Sequence, residues 1–238
     1  MTLPFSYYDF MEACAEPGCP ICSLLQRDAH RLIDSTLYEY VTKPHTNDLF
    51  RAARGLCNVH NWQLTRYGSQ VLGIAILQDA ALDEILKIIE ANPVQAQSSL
   101  SRWLGSNAKN SPSVLADKLE PERPCPVCHS VEVAEKHYLA AVNDYLTDAR
   151  FQAAFRESAG LCLTHFRAAL RQATDPAALE HLLALQTAIW QRLKNELETF
   201  ITKNDYRYAN DAMGTERDSW LRTISTLAGK EGVFGTRR

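Results

Sequence analysis

The sequence lacks the features that mark several large classes of protein. Its longest apolar run, at about 71–77, falls far short of the roughly 18 residues that a membrane span needs. The N-terminus shows no basic region followed by an apolar core, so it does not resemble an export signal. These absences predict a cytoplasmic protein without a membrane span.

An excess of basic charge is also lacking. The chain of 238 residues carries 25 Lys and Arg against 28 Asp and Glu. Residues 1–91 hold 7 basic and 11 acidic groups, and residues 92–238 hold 18 and 17. Neither part has the basic surface that binds phosphate backbones, so no nucleic-acid partner is expected.

Familiar catalytic motifs are missing as well. The sequence contains no Gly-x-Gly-x-x-Gly, no phosphate-binding loop, no His-Glu-x-x-His and no Gly-x-Ser-x-Gly. It therefore identifies no catalytic residue, and the balance of the sequence is against an enzyme.

The chain does contain seven cysteines, six of which lie in a pattern that occurs twice. Cys-Pro-Ile-Cys at 19–22 returns as Cys-Pro-Val-Cys at 125–128, and Gly-Leu-Cys-Asn-Val-His at 55–60 returns as Gly-Leu-Cys-Leu-Thr-His at 160–165. The motif separation, counted as the residues between Cys22 and Cys57 or between Cys128 and Cys162, is 34 in the first copy and 33 in the second. Such matched spacing predicts an internal duplication.

Apolar residues between the motifs recur at helical spacing, and no strand-like alternation of useful length occurs. We therefore predict an all-α fold of two four-helix units, each clamped by one metal site, with a further terminal helix near 216–228. A short helix is also expected around Leu100, Trp103 and Leu104. The expected domains are a first metal-binding repeat at 1–91, a linker at 92–124, a second repeat at 125–203 and a C-terminal segment at 204–238.

Each copy offers three thiolates and one imidazole, a complete tetrahedral Cys₃His set. The predicted metal ligands are Cys19, Cys22, Cys57, His60, Cys125, Cys128, Cys162 and His165. Zn²⁺ suits mixed sulfur and nitrogen ligands, so two ions per chain are expected, and four protein ligands per ion indicate structural sites. An iron–sulfur cluster and metal-free thiols, including redox thiols, are the alternatives.

The grouping of the ligands follows from the reach of the chain. A first helix of about 19 residues carries the chain roughly 28 Å from its cysteines, and the return segment can span about 35 Å. Closure within each copy is therefore the expected arrangement. Pairing of half-sites across the copies remains the alternative.

These motifs resemble a bacterial family, domain-of-unknown-function family 6062. The likeness includes both Cys-Pro-x-Cys motifs, the stretch from Ala53 to Leu64, the second Gly-Leu-Cys motif, and the late Asp-Tyr-Arg and Trp-Leu-Arg segments. It spans about residues 15–235. The resemblance supports duplicated metal sites and implies no activity.

Three functions are compatible with the pattern. The first is a zinc-stapled helical interaction or adaptor module with a protein partner. The second is a thiol-based redox or metal-responsive protein. The third is an enzyme with a pocket between the repeats, in which the metal sites are only structural.

Overall fold

A computed structural model describes residues 4–94, 111–205, 207 and 212–234, and all regular secondary structure in these ranges is helical. The predicted all-α fold is thus confirmed. The helices are α1 (Phe5–Ala13), α2 (Pro20–Ser35), α3 (Pro44–Ala52), α4 (Asn58–Gln63), α5 (Val71–Ala91), α6 (Pro112–Leu119), α7 (Pro126–Tyr145), α8 (Ala149–Glu157), α9 (Leu163–Gln172), α10 (Pro176–Lys203) and α11 (Ser219–Ala228). A π-helical turn, Thr36–Tyr40, continues α2, and short 3₁₀ turns cover Leu64–Arg66, Gly68–Gln70 and Thr215–Asp218.

Proline begins five of these helices, at the position where its missing N–H would have no helical partner. Side chains cap three helices at their N-termini. Asp148 accepts hydrogen bonds from the backbone N–H groups of Arg150 and Phe151, and Ser111 and Asp175 act in the same way for α6 and α10. Capping of this kind typically stabilises a helix by about 1 kcal/mol.

The order of helices is the same in two segments, α2–α5 and α7–α10. In the first segment α2 and its π-turn have 16 and 5 residues, 21 together, whereas α7 has 20. A π-turn closes i to i+5 hydrogen bonds and so takes one more residue than an α-turn. This one residue accounts for the motif separation of 34 residues in one segment and 33 in the other. Duplication of the chain itself stays a prediction.

By contact, the chain divides into two compact units that do not follow the order of the sequence. The first unit comprises Met1–Asp28 and Val131–Arg237, and the second comprises Ala29–Ser130. The boundaries fall inside α2 and inside α7. The domain limits expected from the repeat, at 91 and 125, divide the sequence rather than these contact units, and they stay a prediction.

Aromatic side chains form much of the core of the first unit. Phe10 of α1 stacks on Phe151 of α8 with ring centroids 4.8 Å apart, and both rings are fully buried. The Tyr7 hydroxyl donates to Asp148 Oδ1 at 2.8 Å. Helix α1 was not predicted from the sequence, because its apolar residues are spread around the helix and give no clear one-sided period.

Aliphatic side chains dominate the core of the second unit. Ile33, Leu37, Leu64 and Leu77 are each at most 4% exposed. Helix α3 packs against α5, and α6 packs against α5 as well. Gly73 permits close contact inside this core, because a Cβ on it would stand 3.1 Å from the Leu37 carbonyl oxygen.

Two further helices were predicted, one near the C-terminus and one in the linker, and the outcomes differ. The terminal helix forms, entered through the 3₁₀ turn and followed by Gly229 at φ +84. The expected helix at Leu100, Trp103 and Leu104 lies outside the described residues. Among the helices that are described, none combines the length and the hydropathy required of a membrane span.

Candidate metal centres

The eight predicted ligands meet in two clusters of four. The ligand atoms within each cluster all lie within 4.8 Å of one another. The buried cluster consists of Cys19, Cys22, Cys162 and His165, and the half-exposed cluster consists of Cys57, His60, Cys125 and Cys128. Each cluster lies within one unit, the buried cluster in the first and the half-exposed cluster in the second.

The expected closure of a site within each copy is wrong. The Cys-Pro-x-Cys motif of one copy joins the Cys-x-x-His motif of the other, in both clusters. The reach of the chain permits either grouping, so the packing of the helices decides. Helix α2 carries the chain about 24 Å from its first residue to its last, and the segment that returns with Cys57 folds with the far end of that helix.

All four half-sites use the same local structure, the first turn of a helix. The carbonyl oxygen of Cys19 accepts a hydrogen bond from the backbone N–H of Ser23 at 3.1 Å, which makes Cys19 the N-cap of α2 and Cys22 its third residue. The Cys57 carbonyl likewise accepts from Asn61 at 2.8 Å, so Cys57 caps α4. Side chains at the N-cap and third positions meet, as in a capping box.

This local structure is the same in both Cys-Pro-x-Cys motifs. The motif is the start of a helix, with proline at the first helical position. Each cluster therefore gathers the N-termini of two helices. The partial positive charge of those termini favours thiolates over thiols.

The distances in the buried cluster match a tetrahedral ion. The His165 Nδ1 atom lies 3.4, 3.5 and 3.3 Å from the sulfurs of Cys19, Cys22 and Cys162. The sulfurs of Cys22 and Cys162 are 3.8 Å apart. Ligands placed tetrahedrally around zinc, at about 2.3 Å for sulfur and about 2.0–2.1 Å for nitrogen, would stand about 3.8 Å apart for two sulfurs and about 3.5 Å for sulfur and nitrogen.

The half-exposed cluster has the same dimensions. His60 Nδ1 lies 3.2, 3.6 and 3.4 Å from the sulfurs of Cys57, Cys125 and Cys128, and the Cys57 and Cys128 sulfurs are 3.5 Å apart. In both clusters the histidine therefore presents Nδ1 to the three sulfurs. The donor set and its spacing fit a zinc-sized ion.

The two clusters differ in their exposure to solvent. In the buried cluster no residue is more than 3% exposed. In the half-exposed cluster His60 is buried, but Cys57, Cys125 and Cys128 all retain partial exposure. Solvent and small reagents therefore have access to sulfur in one cluster and not in the other.

The electrostatics of the groups favour a charged thiolate in each cluster. Hydrogen bonds from Cys19 and Cys22 lower the pKa of Cys162, and hydrogen bonds from Cys125 and Cys128 lower the pKa of Cys57. Thiolate is the form that binds metal ions. Cys162 and Cys57 are thus the cysteines of their clusters that favour the thiolate form.

The histidines respond to these thiolates. Burial alone would lower the pKa of His60, but hydrogen bonds with Cys125 and Cys57 outweigh it and raise the pKa to about 9. For His165, burial is likewise outweighed by hydrogen bonds with Cys162 and Cys22, and its pKa rises to about 11. Binding of a metal ion by Nδ1 would release this proton.

A carboxylate lies behind the buried cluster. Glu135 Oε1, on α7, is 3.5 Å from His165 Nε2, a buried atom that makes no close hydrogen bond. A carboxylate in this place orients a metal-binding imidazole and favours the tautomer with the proton on Nε2. The sequence offered no signal for Glu135, because its role depends on a contact with a residue thirty positions away.

A buried amide fixes the approach to Cys162. Gln186 of α10 is fully buried, accepts from the Leu161 N–H at 2.8 Å and donates to the Leu161 carbonyl at 3.2 Å. Gly160 has φ +68, and a Cβ on it would stand 2.7 Å from Gln186 Nε2. The glycine of the Gly-Leu-Cys motif is therefore needed for two reasons, the positive φ of the turn and the close contact with Gln186.

Comparisons with known proteins agree with the resemblance seen in the sequence. The chain is 25% identical over 223 residues to "Uncharacterized 23.9 kDa protein in xynA 3'region" from Caldicellulosiruptor sp. (strain Rt8B.4), which covers 93% of this chain and 100% of that relative. No solved structure matches the chain. The model of the Family of unknown function (DUF6062) matches residues 6–232, and the chain therefore belongs to that family.

Proposed function

We propose that the protein is a zinc-stapled helical scaffold that acts as an interaction module in the cytoplasm. Zn²⁺ would bind in both clusters, held by the eight cysteine and histidine ligands named above. The observation that carries this proposal is the spacing of three sulfurs and one Nδ1 atom in each cluster, which fits a tetrahedral ion. Four protein ligands leave no open position for a substrate, which favours a structural role.

The structural role rests on what each ion would join. Zinc in the buried cluster would tie the start of α2 to the start of α9, residues 140 or more positions apart in the chain. Because such a site forms only in the folded chain, the free energy of metal binding adds to the free energy of folding. Rigid helices fixed in this way suit the presentation of a surface to a partner.

The proposal predicts two zinc ions per chain in purified protein, measured by inductively coupled plasma mass spectrometry against protein concentration. Cys57→Ser should bind one, because serine supplies a poor ligand in place of a thiolate. Cys14→Ser is the matched control, since Cys14 belongs to neither cluster. Two ions in Cys57→Ser, or iron in place of zinc, would contradict the assignment.

A metal-responsive or redox role is the second candidate, and the partial exposure of Cys57, Cys125 and Cys128 favours it. Hydrogen peroxide could oxidise two thiolates to a disulfide, the peroxide taking up two electrons and two protons to give two waters, with release of the metal ion.

Brief treatment with peroxide should release one zinc ion per chain, from the half-exposed cluster, before the second. A colorimetric zinc chelator would record the release, and titration of free thiols would count the sulfurs that react. Cys57→Ser should lack this early phase. Simultaneous release of both ions, or no release, would count against the role.

A further inference from the structure

The second unit contains a cavity of about 250 Å³ that is open at one side. Its inner wall consists of buried side chains, Ile33, Leu37, Phe50, Leu64, Leu77 and Val127. The exposed Tyr40 and His45 and the half-buried Thr46 stand at its mouth. No lysine, arginine, aspartate or glutamate lines it, so the cavity suits an uncharged ligand.

In the first unit, the rings of Tyr7 and Phe10 on α1 occupy a space that is comparable to this cavity. Phe10 stacks on Phe151 at 4.8 Å between centroids and lies 6.2 Å from Phe155. Tyr7 meets Tyr145 edge-on at 5.2 Å. Both rings are at most 2% exposed, so their neighbours enclose them almost completely.

The two places correspond when the segments are aligned on their Gly-Leu-Cys motifs, which are 105 positions apart. Tyr145, Phe151 and Phe155, which hold the rings of α1, then correspond to Tyr40, Thr46 and Phe50. These three residues all line the cavity of the second unit. The cavity is therefore the counterpart of the space that Tyr7 and Phe10 fill.

The helix that corresponds to α1 cannot fill this cavity. Aligned on the Cys-Pro-x-Cys motifs, 106 positions apart, α1 matches α6. Tyr7 and Phe10 then correspond to Ser113 and Ala116, which have no rings. Helix α6 packs against α5, and none of its residues lines the cavity.

We propose that the cavity binds an aromatic ring with at most one polar substituent. A free small molecule and an aromatic side chain on a partner's helix share this chemistry. The rings in the first unit show what such a space accepts, and the mouth offers the Tyr40 and Thr46 hydroxyls and the His45 imidazole to one polar group. An enclosed cavity of about 150 Å³ lined by Leu, Ile and Phe binds benzene, and the inner wall of this larger, open cavity has side chains of the same kinds.

The test uses the full chain and two kinds of probe. The first is 4-methylphenol, which is the side chain of tyrosine, observed by saturation-transfer NMR. The second is a labelled peptide with the sequence of residues 4–14 and serine in place of Cys14, observed by fluorescence anisotropy. Leu49→Trp places an indole at the cavity, and Leu86→Trp on the exposed part of α5 is its matched control.

We expect the wild type and Leu86→Trp to bind a probe equally and Leu49→Trp to bind it at least about tenfold more weakly, a difference of about 1.4 kcal/mol. Peptide binding at least about tenfold tighter than that of 4-methylphenol would identify a partner helix as the source of the ring, and the reverse would identify a free molecule. No binding of either probe, or equal binding by Leu49→Trp, would overturn the proposal.

A second variant and a separate measurement keep the test decisive if the first variant does not fold. Thr46→Phe supplies the ring that stacks on Phe10 in the first unit. It should therefore tighten binding of a probe even if Leu49→Trp does not fold, and unchanged or weaker binding would contradict the correspondence of the two places. Zinc content is measured on the same samples. If a variant loses ring binding but still holds two zinc ions, the change in the cavity is the cause of the loss. The cavity does not depend on which metal the clusters bind, so this result would leave the proposed function unaffected.

Discussion

Cys22→Ser should lose one zinc ion and unfold helices that lie more than a hundred residues further along the chain. Cys22 is fully buried, and its cluster partners are Cys162 and His165. Structural zinc contributes about 10–16 kcal/mol in small domains, which is comparable to the whole stability of a typical domain, about 5–15 kcal/mol. The first unit should therefore lose much of its protection when this ligand is removed.

Hydrogen exchange with mass spectrometry would locate the effect. Helices α8–α10 should exchange much faster in Cys22→Ser than in the wild type, whereas α3–α5 should keep their protection. Cys14→Ser is again the control, because it removes a buried thiol outside both clusters. Faster exchange confined to α3–α5 would instead support ligands grouped within each copy.

Phe10→Ala should lower the free energy of unfolding by about 3–5 kcal/mol, the usual cost of deleting a fully buried ring. The ring is 0% exposed and stacks on Phe151, so its loss leaves a cavity against a rigid neighbour. Unfolding in urea, followed by circular dichroism, would measure the loss. Toluene should restore part of it, because the new cavity has the shape of the missing ring.

Phe5→Ala on the same helix is the matched control for this change. Phe5 is 90% exposed, and exposed substitutions usually alter stability by no more than about 0.5 kcal/mol. Equal effects of the two substitutions would mean that α1 does not pack on α8 as described. If Phe10→Ala left the stability unchanged, there would also be no basis for comparing the space around Phe10 with the cavity of the second unit.

Local chemistry in the sequence was sufficient to predict most of the helices, though not α1, and the types of residue in the two clusters. The recurrence of Cys-Pro-x-Cys and Cys-x-x-His identified all eight residues that the structure gathers, because ligands three positions apart share one turn of a helix. The grouping could not be predicted, since both arrangements satisfy the reach of the chain. It depends on which helices pack together, and packing is a property of many weak contacts distributed over the sequence.

Other parts of the site were hidden for a different reason. Glu135 and Gln186 look like ordinary residues of long helices, and only the fold places one behind His165 and the other against Leu161. The π-turn at Thr36–Tyr40 was visible only as a difference of one residue between two motif separations. That small mismatch was a usable signal, because an extra residue in an otherwise continuous helix needs a wider turn.

The crossed grouping also bears on how the chain is made. Cys22 and His165 are 143 positions apart, a length that a ribosome translating about 5–20 residues per second needs roughly 7–30 s to complete. Throughout that interval the nascent chain exposes Cys-Pro-Ile-Cys with only half of its coordination sphere available. On the ribosome, the two sulfur ligands of this motif would therefore stay open to metal exchange. Productive binding of a metal ion in the buried cluster would take place only at the last stage of synthesis or after release of the chain.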